Sequence, residues 1–310
     1  MPRDSSAPRE FGPDSAPRGA SADGESAEPH PEGTTPGESV GQTKPRPDPE
    51  RYIRRIGVAP ETVTTPDRRT LERIQRAHVT TVPFENLAIV GRPDSDRSGP
   101  GVTLSLASMY EKIVERGRGG YCFELNGLFH WLLDELGYEV DRIAARVTSD
   151  GDAGPPANHH TNVVHLDQRY VVDVGMGSPV MRRPIPLDGS IRSDEAGVDW
   201  RIVESDRPDE TYRSEYREPG DGEWSRRYVF SDVSRDLRYF EATNDYLQSA
   251  PESPFTGDPV VSIATPDGHR KLSGTTLTER VGTEETERTV TGDEWDTTLE
   301  REFGFRYDRE

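Results

Sequence analysis

The hydrophobic periodicity of the chain changes at Gly137, and this change limits the folds that the sequence can adopt. Before Gly137, apolar residues recur at helical spacing, most clearly from Leu125 to Leu136. After Gly137, most segments alternate polar and apolar residues with a period of two, as half-buried strands do. Helices followed by antiparallel strands predict an α+β fold.

The same change of period divides the chain into four predicted segments. Residues 1–50 consist almost entirely of Pro, Gly, Ala, Ser and charged residues, and beyond Met1 only Phe11 and Val40 are large apolar side chains. Such a segment buries too little apolar surface to offset its chain entropy, so it is predicted to be a disordered tail. The other segments are predicted as a helical domain (51–136), a domain of antiparallel strands (137–240) and a smaller α/β unit (241–310).

Thr65 and Pro66 mark the predicted start of a helix in the second segment. Thr is a favoured N-cap, and Pro is favoured at the first helical position. Leu71 and Ile74 continue the pattern at helical spacing. We therefore expect this helix to begin at Pro66.

The net charge of the chain limits the kinds of molecule that the protein is expected to bind. The 57 acidic residues outnumber the 38 Lys and Arg residues, which gives a net charge of −19. This balance argues against nucleic-acid binding and favours a protein kept in solution in a high-salt cytoplasm. No apolar run approaches the roughly 20 residues of a membrane span, and no apolar leader segment is present, so we expect neither a membrane association nor secretion.

Cys122 is the only cysteine, which excludes an internal disulfide and a multi-cysteine metal site. It follows a glycine-rich turn in "RGRGGYCFELN" and stands in the first turn of the helix that ends near Leu136. A helix N-terminus stabilises a thiolate, the glycines leave room for a substrate, and Arg116 and Arg118 add positive charge. The alternative is a buried core cysteine, which is the commoner role of a free cysteine.

A nucleophilic thiol requires an imidazole base and a group that orients the base. The segment "HHTNVVHLDQRYVVDV" predicts a hairpin that turns near Asp167–Gln168 and brings His159 and His160 roughly opposite Asp173. Asp is unusual in a central strand, and a buried carboxylate needs a partner. Together with Cys122, these residues predict a Cys–His–Asp triad.

Several of these motifs resemble the arylamine N-acetyltransferase family. "RGGYCFELN" resembles the cysteine signature of the family, "YVVDVGMG" its aspartate strand, and "VPFENLAI" the segment beneath the cysteine. The stretch "SPFTGDPVVSIATPDGHRKLSGTTLTER" resembles the C-terminal domain of bacterial members. The resemblance extends from about Tyr52 to Tyr307.

The resemblance implies a fold and a reaction. The fold is an N-terminal helical bundle, a central antiparallel β-barrel and a C-terminal α/β lid, with a core like that of papain and the transglutaminases. The reaction is a ping-pong transfer from acetyl-CoA, through acetylated Cys122, to a small-molecule amine acceptor: an arylamine, arylhydrazine or arylhydroxylamine. No metal is implied.

The resemblance also implies roles for individual residues. Cys122, His159 and Asp173 match the catalytic positions, although the hairpin is one residue shorter than in the family, which keeps His160 as the alternative base. Met176 stands where the family has a phenylalanine that lines the acceptor pocket. The other candidates for the pocket wall are Phe84 and Phe123, for which plain core packing is the alternative.

Two other functions are compatible with the same residues. The first is a thiol hydrolase or transglutaminase-like enzyme that uses the triad on an amide. The second is a catalytically inactive binding module of the same fold. The long C-terminal match and the complete set of Cys, His and Asp favour the acetyltransferase over both.

Overall fold

The structure is a computed structural model that describes residues 46–93, 99–149 and 151–307. These residues belong to the compact unit Pro45–Glu310. The predicted disordered tail lies outside the described residues as far as position 45. The first helix begins at Pro49, inside the segment that composition assigned to the tail.

Before Gly137, the described chain is mainly helical. The helices are α1 (Pro49–Arg55), α2 (Arg68–Val79), α3 (Leu87–Val90), α4 (Leu106–Tyr110) and α5 (Cys122–Glu135), with a 3-10 turn at Pro60–Thr62, a π-helical turn at Glu111–Glu115 and the short strand β1 (Phe84–Glu85). The change of period at Gly137 coincides with a glycine in the left-handed region, at φ +84°, directly after α5. A glycine at this position ends a helix without steric cost.

Helix α2 begins two residues later than the sequence predicts. Its N-cap is Asp67, whose side chain accepts a hydrogen bond from the backbone N–H of Thr70 over 2.7 Å. Asp is at least as good an N-cap as Thr. The prediction of Thr65 and Pro66 as cap and first residue is therefore wrong, because a better cap follows them.

The residues after Gly137 form a nearly closed antiparallel sheet. Its strands are β2 (Glu139–Ser149), β3 (Asp152–Ala153), β4 (His159–His165), β5 (Arg169–Val172), β6 (Ile185–Pro186), β7 (Arg192–Ser193), β8 (Asp199–Glu204), β9 (Tyr212–Arg217) and β10 (Ser225–Ser234). Their order is β6-β5-β4-β2-β10-β9-β8-β7, and β3 pairs with β2. Because β6 at one edge also contacts β8 near the other, the sheet curls toward a barrel. Its interior includes Ile143, Val163, Val171, Trp200, Ile202 and Phe230.

Helix α5 lies between the other helices and this sheet. It packs against α1 and α4 on one side and against β2 and β4 on the other. Every residue from Cys122 to Phe129 is buried as a result. The first two turns of α5 are therefore packed between the helices and the sheet, which holds the cysteine at a fixed distance from the barrel.

The C-terminal part adds a second sheet. It contains a 3-10 turn (Leu237–Phe240), α6 (Glu241–Ser249), β11 (Val260–Ala264), β12 (Gly268–Ser273), β13 (Thr276–Val281), β14 (Glu284–Thr289) and α7 (Gly292–Thr298), which continues as a π-helical turn (Leu299–Phe303). The sheet order is β1-β11-β12-β13-β14, so the helical part contributes its edge strand. Strand β14 is not anticipated by the sequence, because all its residues are exposed and no apolar alternation marks it.

The α+β arrangement predicted from the change of period is confirmed. Among the described residues, no helix has both the length and the apolar character that a membrane span requires.

Candidate active site

His159 and Asp173 form a buried pair in the barrel. His159 Nε2 donates a hydrogen bond to Asp173 Oδ2 over 2.6 Å, and the two side chains are 1% and 0% exposed. Burial alone would raise the pKa of Asp173, but the charge of His159 and hydrogen bonds from His159, Asn126 and Gly175 hold it below its usual value. The carboxylate is therefore ionised, and it leaves Nδ1 as the imidazole nitrogen available for proton transfer.

The register of the hairpin decides which histidine meets Asp173. Strands β4 and β5 pair with Asn162 opposite Val172. One further step along this register places Thr161 opposite Asp173. Side chains alternate between the two faces of a strand, so His159 shares the face of Thr161 and Asp173.

His160, the alternative base, points to the other face of β4. Its ring stacks on Phe240 with centroids 5.0 Å apart, and neither ring nitrogen has a hydrogen-bond partner among the described residues. Burial and the nearby positive charge of Arg142 lower the pKa of His160 well below its usual value. The structure thus brings His159, and not His160, to Asp173.

Asn126 connects the cysteine helix to this pair. It lies one helical turn after Cys122 and is fully buried. Its Nδ2 donates to Asp173 Oδ1 over 2.8 Å and to the backbone carbonyl of His160, and its Oδ1 accepts from the N–H of Val174 over 2.9 Å. One amide therefore fixes the carboxylate of Asp173 and the backbone at His160 and at Val174.

Gly175 allows the aspartate strand to approach the cysteine helix closely. A Cβ at this position would lie 2.4 Å from Asn126 Nδ2 and 2.9 Å from the Cα of Cys122. Such distances are below van der Waals contact, so no side chain fits here. The N–H of Gly175 also donates to Asp173 Oδ1 over 2.9 Å.

Cys122 is the first residue of α5 and lines the same cavity as His159. The cavity has a volume of about 470 Å³, within the range of small-molecule sites. The thiol itself is almost fully covered, since Cys122 is only 3% exposed. The predicted cysteine and histidine therefore line one cavity.

Burial, followed by the negative charge of Asp173, raises the pKa of the Cys122 thiol. The backbone N–H groups of Cys122 and Phe123 act in the opposite direction, as a helix N-terminus should, but they are the smaller effect. This result is the reverse of the lowered pKa that the sequence predicts. An isolated thiol at this depth stays protonated, and it needs a proton acceptor that becomes positively charged beside it.

Gly119 and Gly120 make room for the protein's own atoms and not for a substrate, whereas Gly117 turns the backbone at φ +67°. A Cβ at Gly119 would lie 2.1 Å from the carbonyl oxygen of Pro83. The N–H of Glu85 donates to the carbonyl of Gly120 over 2.8 Å, so the loop lies beside β1. The expectation of an open approach through this turn is wrong.

Arg116 and Arg118 also differ from expectation. Arg118 is buried and donates to Glu85 over 2.8 Å. Arg116 pairs with Glu111 over 2.7 Å. Their charges are satisfied by carboxylates, so we assign neither arginine the role of stabilising the Cys122 thiolate.

A buried ionic cluster supports the N-terminus of α5. Lys112 Nζ lies 2.8 Å from Glu124 Oε2 and 3.3 Å from Glu85 Oε1. Glu124 in turn accepts a hydrogen bond from the N–H of Tyr121 over 3.1 Å. Burial raises the pKa of Glu124, which Lys112 partly counteracts. The cluster fixes the residue that precedes the cysteine.

The walls of the cavity are mostly apolar. Phe84 and Met176 line it, together with Leu247 and Phe255. Phe123 does not line it, although the sequence made it a candidate for the pocket wall. Its ring is fully buried because it packs between Tyr121 and Phe240, with centroids 5.4 and 5.3 Å away. Phe123 is therefore a core residue.

Sequence reasoning missed Asn126, Glu85 and Lys112. Asn126 stands inside the quoted cysteine motif, four residues after Cys122 on a helix, and this spacing is the signal that could have singled it out. Glu85 stands inside the motif "VPFENLAI", but the ionic contacts of Glu85 and Lys112 leave no local pattern, because their partners are distant in sequence. No cluster of three or more His, Cys, Asp or Glu side chains suited to a metal ion occurs in the described ranges.

The sequence is similar to those of known proteins. A family model described as N-acetyltransferase matches residues 67–310. An arylamine N-acetyltransferase of Mycolicibacterium smegmatis is 35% identical over 234 residues, which are 73% of this chain and 80% of that protein. Human arylamine N-acetyltransferase 1 is 31% identical over 255 residues, which are 75% of this chain and 83% of that protein.

Solved structures are similar as well. The arylamine N-acetyltransferase of Mycobacterium abscessus superposes with a TM-score of 0.74 at 27% identity, covering 84% of this chain and 90% of that chain. An arylamine N-acetyltransferase of Bacillus cereus, described with a Cys-His-Glu catalytic triad, superposes with a TM-score of 0.73 at 26% identity. The superposition covers 83% of this chain and 98% of that chain.

Proposed function

The chain belongs to the arylamine N-acetyltransferase family, a family of acyltransferases, and on this premise we propose that it transfers an acetyl group from acetyl-CoA to the nitrogen of an arylamine, arylhydrazine or arylhydroxylamine. The observation that carries the proposal is that Cys122 and His159 line one cavity while Asp173 holds the other side of the imidazole. Cys122 is the nucleophile, His159 the base, and Asp173 the group that orients the base.

In the first half-reaction the Cys122 thiol gives its proton to Nδ1 of His159. The sulfur attacks the thioester carbonyl of acetyl-CoA, and the carbon–sulfur bond to CoA breaks. The departing CoA thiolate takes the proton from the imidazolium. Cys122 is left as an acetyl thioester, and CoA leaves as a thiol.

In the second half-reaction the amine nitrogen attacks the carbonyl carbon of acetyl-Cys122. His159 accepts the proton that the nitrogen loses and returns it to the sulfur of Cys122 as the carbon–sulfur bond breaks. The products are the N-acetylated acceptor and the free thiol. The sequence is ping-pong, because CoA departs before the acceptor reacts.

Asp173 makes the first proton transfer favourable. Burial raises the pKa of the Cys122 thiol, so its ionisation requires a neighbouring positive charge. The Asp173 carboxylate, fully buried and hydrogen-bonded to Nε2, stabilises the imidazolium that supplies this charge. We propose that the thiol ionises only as part of an ion pair with His159.

Met176 and Phe84 are proposed to form part of the acceptor wall. Both line the cavity beside Cys122. A thioether is flexible and polarizable, so Met176 keeps the wall apolar while adapting to acceptors of different shape. This property favours a broad range of small aromatic amines over one tightly fitted ring.

A high-salt cytoplasm is the proposed environment. The net charge of −19 produces a strongly hydrated acidic surface whose self-repulsion is relieved by salt. We expect the stability of the fold and the rate of turnover to rise with KCl concentration. Equal activity in dilute buffer and in concentrated KCl would contradict this expectation.

Intact-protein mass spectrometry tests the proposed reaction. With acetyl-CoA and no acceptor, the mass should rise by one acetyl group, and Cys122→Ser should remove this increase. Addition of an arylamine should return the mass to its original value and release the acetylated amine.

The same experiment separates the competing functions. An inactive binding module would not gain the acetyl group. A thiol hydrolase would lose the acetyl group to water as fast without an amine as with it. Either result would overturn the acetyltransferase proposal.

A further inference from the structure

Asp152 is the only carboxylate among the described residues that line the catalytic cavity. The lining side chains are otherwise apolar or small, apart from Ser149, Asn158 and the reacting pair Cys122 and His159. A single unpaired charge in an apolar site influences which ligands enter it.

Among the described residues, none neutralises the carboxylate of Asp152. Asp152 is exposed at the cavity, and no described residue forms a hydrogen bond or an ion pair with its side chain. By contrast, Arg146 of β2 pairs with Asp209 at 2.9 Å. The charge of Asp152 is therefore available to a ligand.

Asp152 is the first residue of the short strand β3. Strand β3 pairs with β2 through Thr148 opposite Ala153 and Ser149 opposite Asp152. Arg146 reinforces the hairpin from behind, because its Nε donates to the carbonyl of Gly154 over 2.8 Å.

The end of the hairpin is fixed next to the catalytic base. The side chain of Asn158 accepts a hydrogen bond from the N–H of Val147 over 2.8 Å. Asn158 directly precedes His159. These contacts link β2 and β3 to the residue before the base, and Asp152 and His159 line the same cavity.

We propose that Asp152 selects among acceptors by charge, favouring aromatic amines that carry a positive group away from the reacting nitrogen and disfavouring those that carry a carboxylate. The inference rests on the proposed acetyl transfer. A ping-pong sequence makes it testable, since kcat/KM for the acceptor then depends only on the second half-reaction and not on CoA binding.

Three acceptors with one scaffold provide the test: (4-aminobenzyl)trimethylammonium, ethyl 4-aminobenzoate and 4-aminobenzoate, which are cationic, neutral and anionic. Their intrinsic reactivities differ, but these differences cancel when a variant is compared with the wild type. The readout is the ratio of kcat/KM for the cation to that for the anion, at the lowest KCl concentration that keeps the protein folded.

Asp152→Asn removes the charge and keeps the shape of the side chain. One exposed ion pair changes a binding constant by about twofold to fivefold, so the cation-to-anion ratio should fall roughly four- to twenty-five-fold, the product of the two effects. The matched control is Asp245→Asn, which makes the same change of net charge at an exposed residue of α6 outside the cavity lining. It should leave the ratio unchanged.

The outcomes distinguish a failure of charge selection by Asp152 from a failure of the proposed acetyl transfer. If the wild type acetylates the neutral ester but Asp152→Asn and Asp245→Asn change the ratio equally, charge selection by Asp152 is overturned and the acetyltransferase proposal stands. If none of the three acceptors is acetylated, both are overturned. The wild type alone offers a further measurement, the dependence of the cation-to-anion ratio on KCl concentration. The ratio should fall as KCl rises, because salt screens the carboxylate. A ratio independent of KCl would also overturn charge selection.

Discussion

Replacing Asn126 by leucine tests whether the cysteine helix positions the catalytic carboxylate. The two side chains are similar in size, but leucine cannot make the hydrogen bonds of the amide. The change leaves Asp173 Oδ1 with one donor fewer and leaves the N–H of Val174 and the carbonyl of His160 without this partner. All of these groups are buried.

The structure gives the expected size of the effect. Each buried polar group that loses a partner costs roughly 1–3 kcal/mol, so loss of three contacts should lower the free energy of unfolding by about 3–9 kcal/mol. A hydrogen bond to an ionised group contributes about 1.5–3 kcal/mol, equivalent to about 1–2 pKa units at 1.4 kcal/mol per unit. Because Asn126 helps to keep the pKa of Asp173 low, its loss raises that pKa.

The sign of the pH effect follows from the mechanism. His159 can become an imidazolium beside the thiolate only while Asp173 is ionised. The acid limb of Cys122 reactivity should therefore move upward by about 1–2 pH units in Asn126→Leu. Alkylation of Cys122 by iodoacetamide, followed from pH 4 to 9, measures this limb, and urea denaturation measures the loss of stability.

Gln75→Leu is the matched control. Gln75 is a fully buried amide that donates to the carbonyl of Met181 over 2.9 Å, and neither residue belongs to the catalytic set. Its replacement should destabilise the protein by roughly 1–3 kcal/mol without moving the acid limb. If Asn126→Leu lowers stability and leaves the acid limb where it is in the wild type, Asn126 is a packing residue and the reasoning is refuted.

Three further results are expected. His160→Phe should retain acetylation of Cys122, because the ring of His160 packs on Phe240 and not on Asp173. His159→Gln should abolish the acetylation. The opposite pattern, measured by intact mass, would contradict the strand register. Burial lowers the pKa of His78 to about 3 from the usual 6.5. Between these pH values, the His78 imidazole is protonated in the unfolded chain and neutral in the folded protein. Stability should then fall as the pH drops below about 6.5, and His78→Phe should reduce this fall by up to about 1.4 kcal/mol per pH unit in urea titrations; equal slopes would refute the assignment. A chain that begins at Arg46 should keep its melting temperature and turnover, because it retains Asp48, whose side chain caps α1; a lower melting temperature would show that the removed residues stabilise the fold.

Features encoded by short-range pattern could be predicted from the sequence. The apolar stripe of α5, the glycine after it and the β4–β5 hairpin all depend on residues a few positions apart. Such patterns fix element type and, through the register, which side chains share a face. The position of Cys122 at the start of α5 follows from the same local signals.

Features that depend on distant contacts could not be predicted. The local sequence of the glycine-rich turn predicts an open approach for a substrate. In the fold, however, Pro83 and Glu85 fill the space beside the turn. The helix N-terminus reads as an activator of Cys122, yet burial outweighs it, and burial is a property of the whole fold. Phe123 follows the cysteine in sequence but packs on Phe240 and does not line the cavity.

The pairing of β1 with β11 has a consequence for the order in which the protein matures during synthesis. Phe84 pairs with Ser262, and the side-chain oxygen of Asn86 accepts from the N–H of Val260 over 2.7 Å. On the opposite side, the N–H of Glu85 donates to the carbonyl of Gly120, in the loop that leads to the cysteine.

A ribosome makes Cys122, His159 and Asp173 well before it makes β11, and domains fold as the chain emerges. Until β11 is made, the strand that supports the cysteine loop has no partner on its outer edge. The nucleophile therefore reaches its final position only after most of the chain has been translated, and nascent chains that end before residue 260 carry the complete set of catalytic side chains without the support that aligns them.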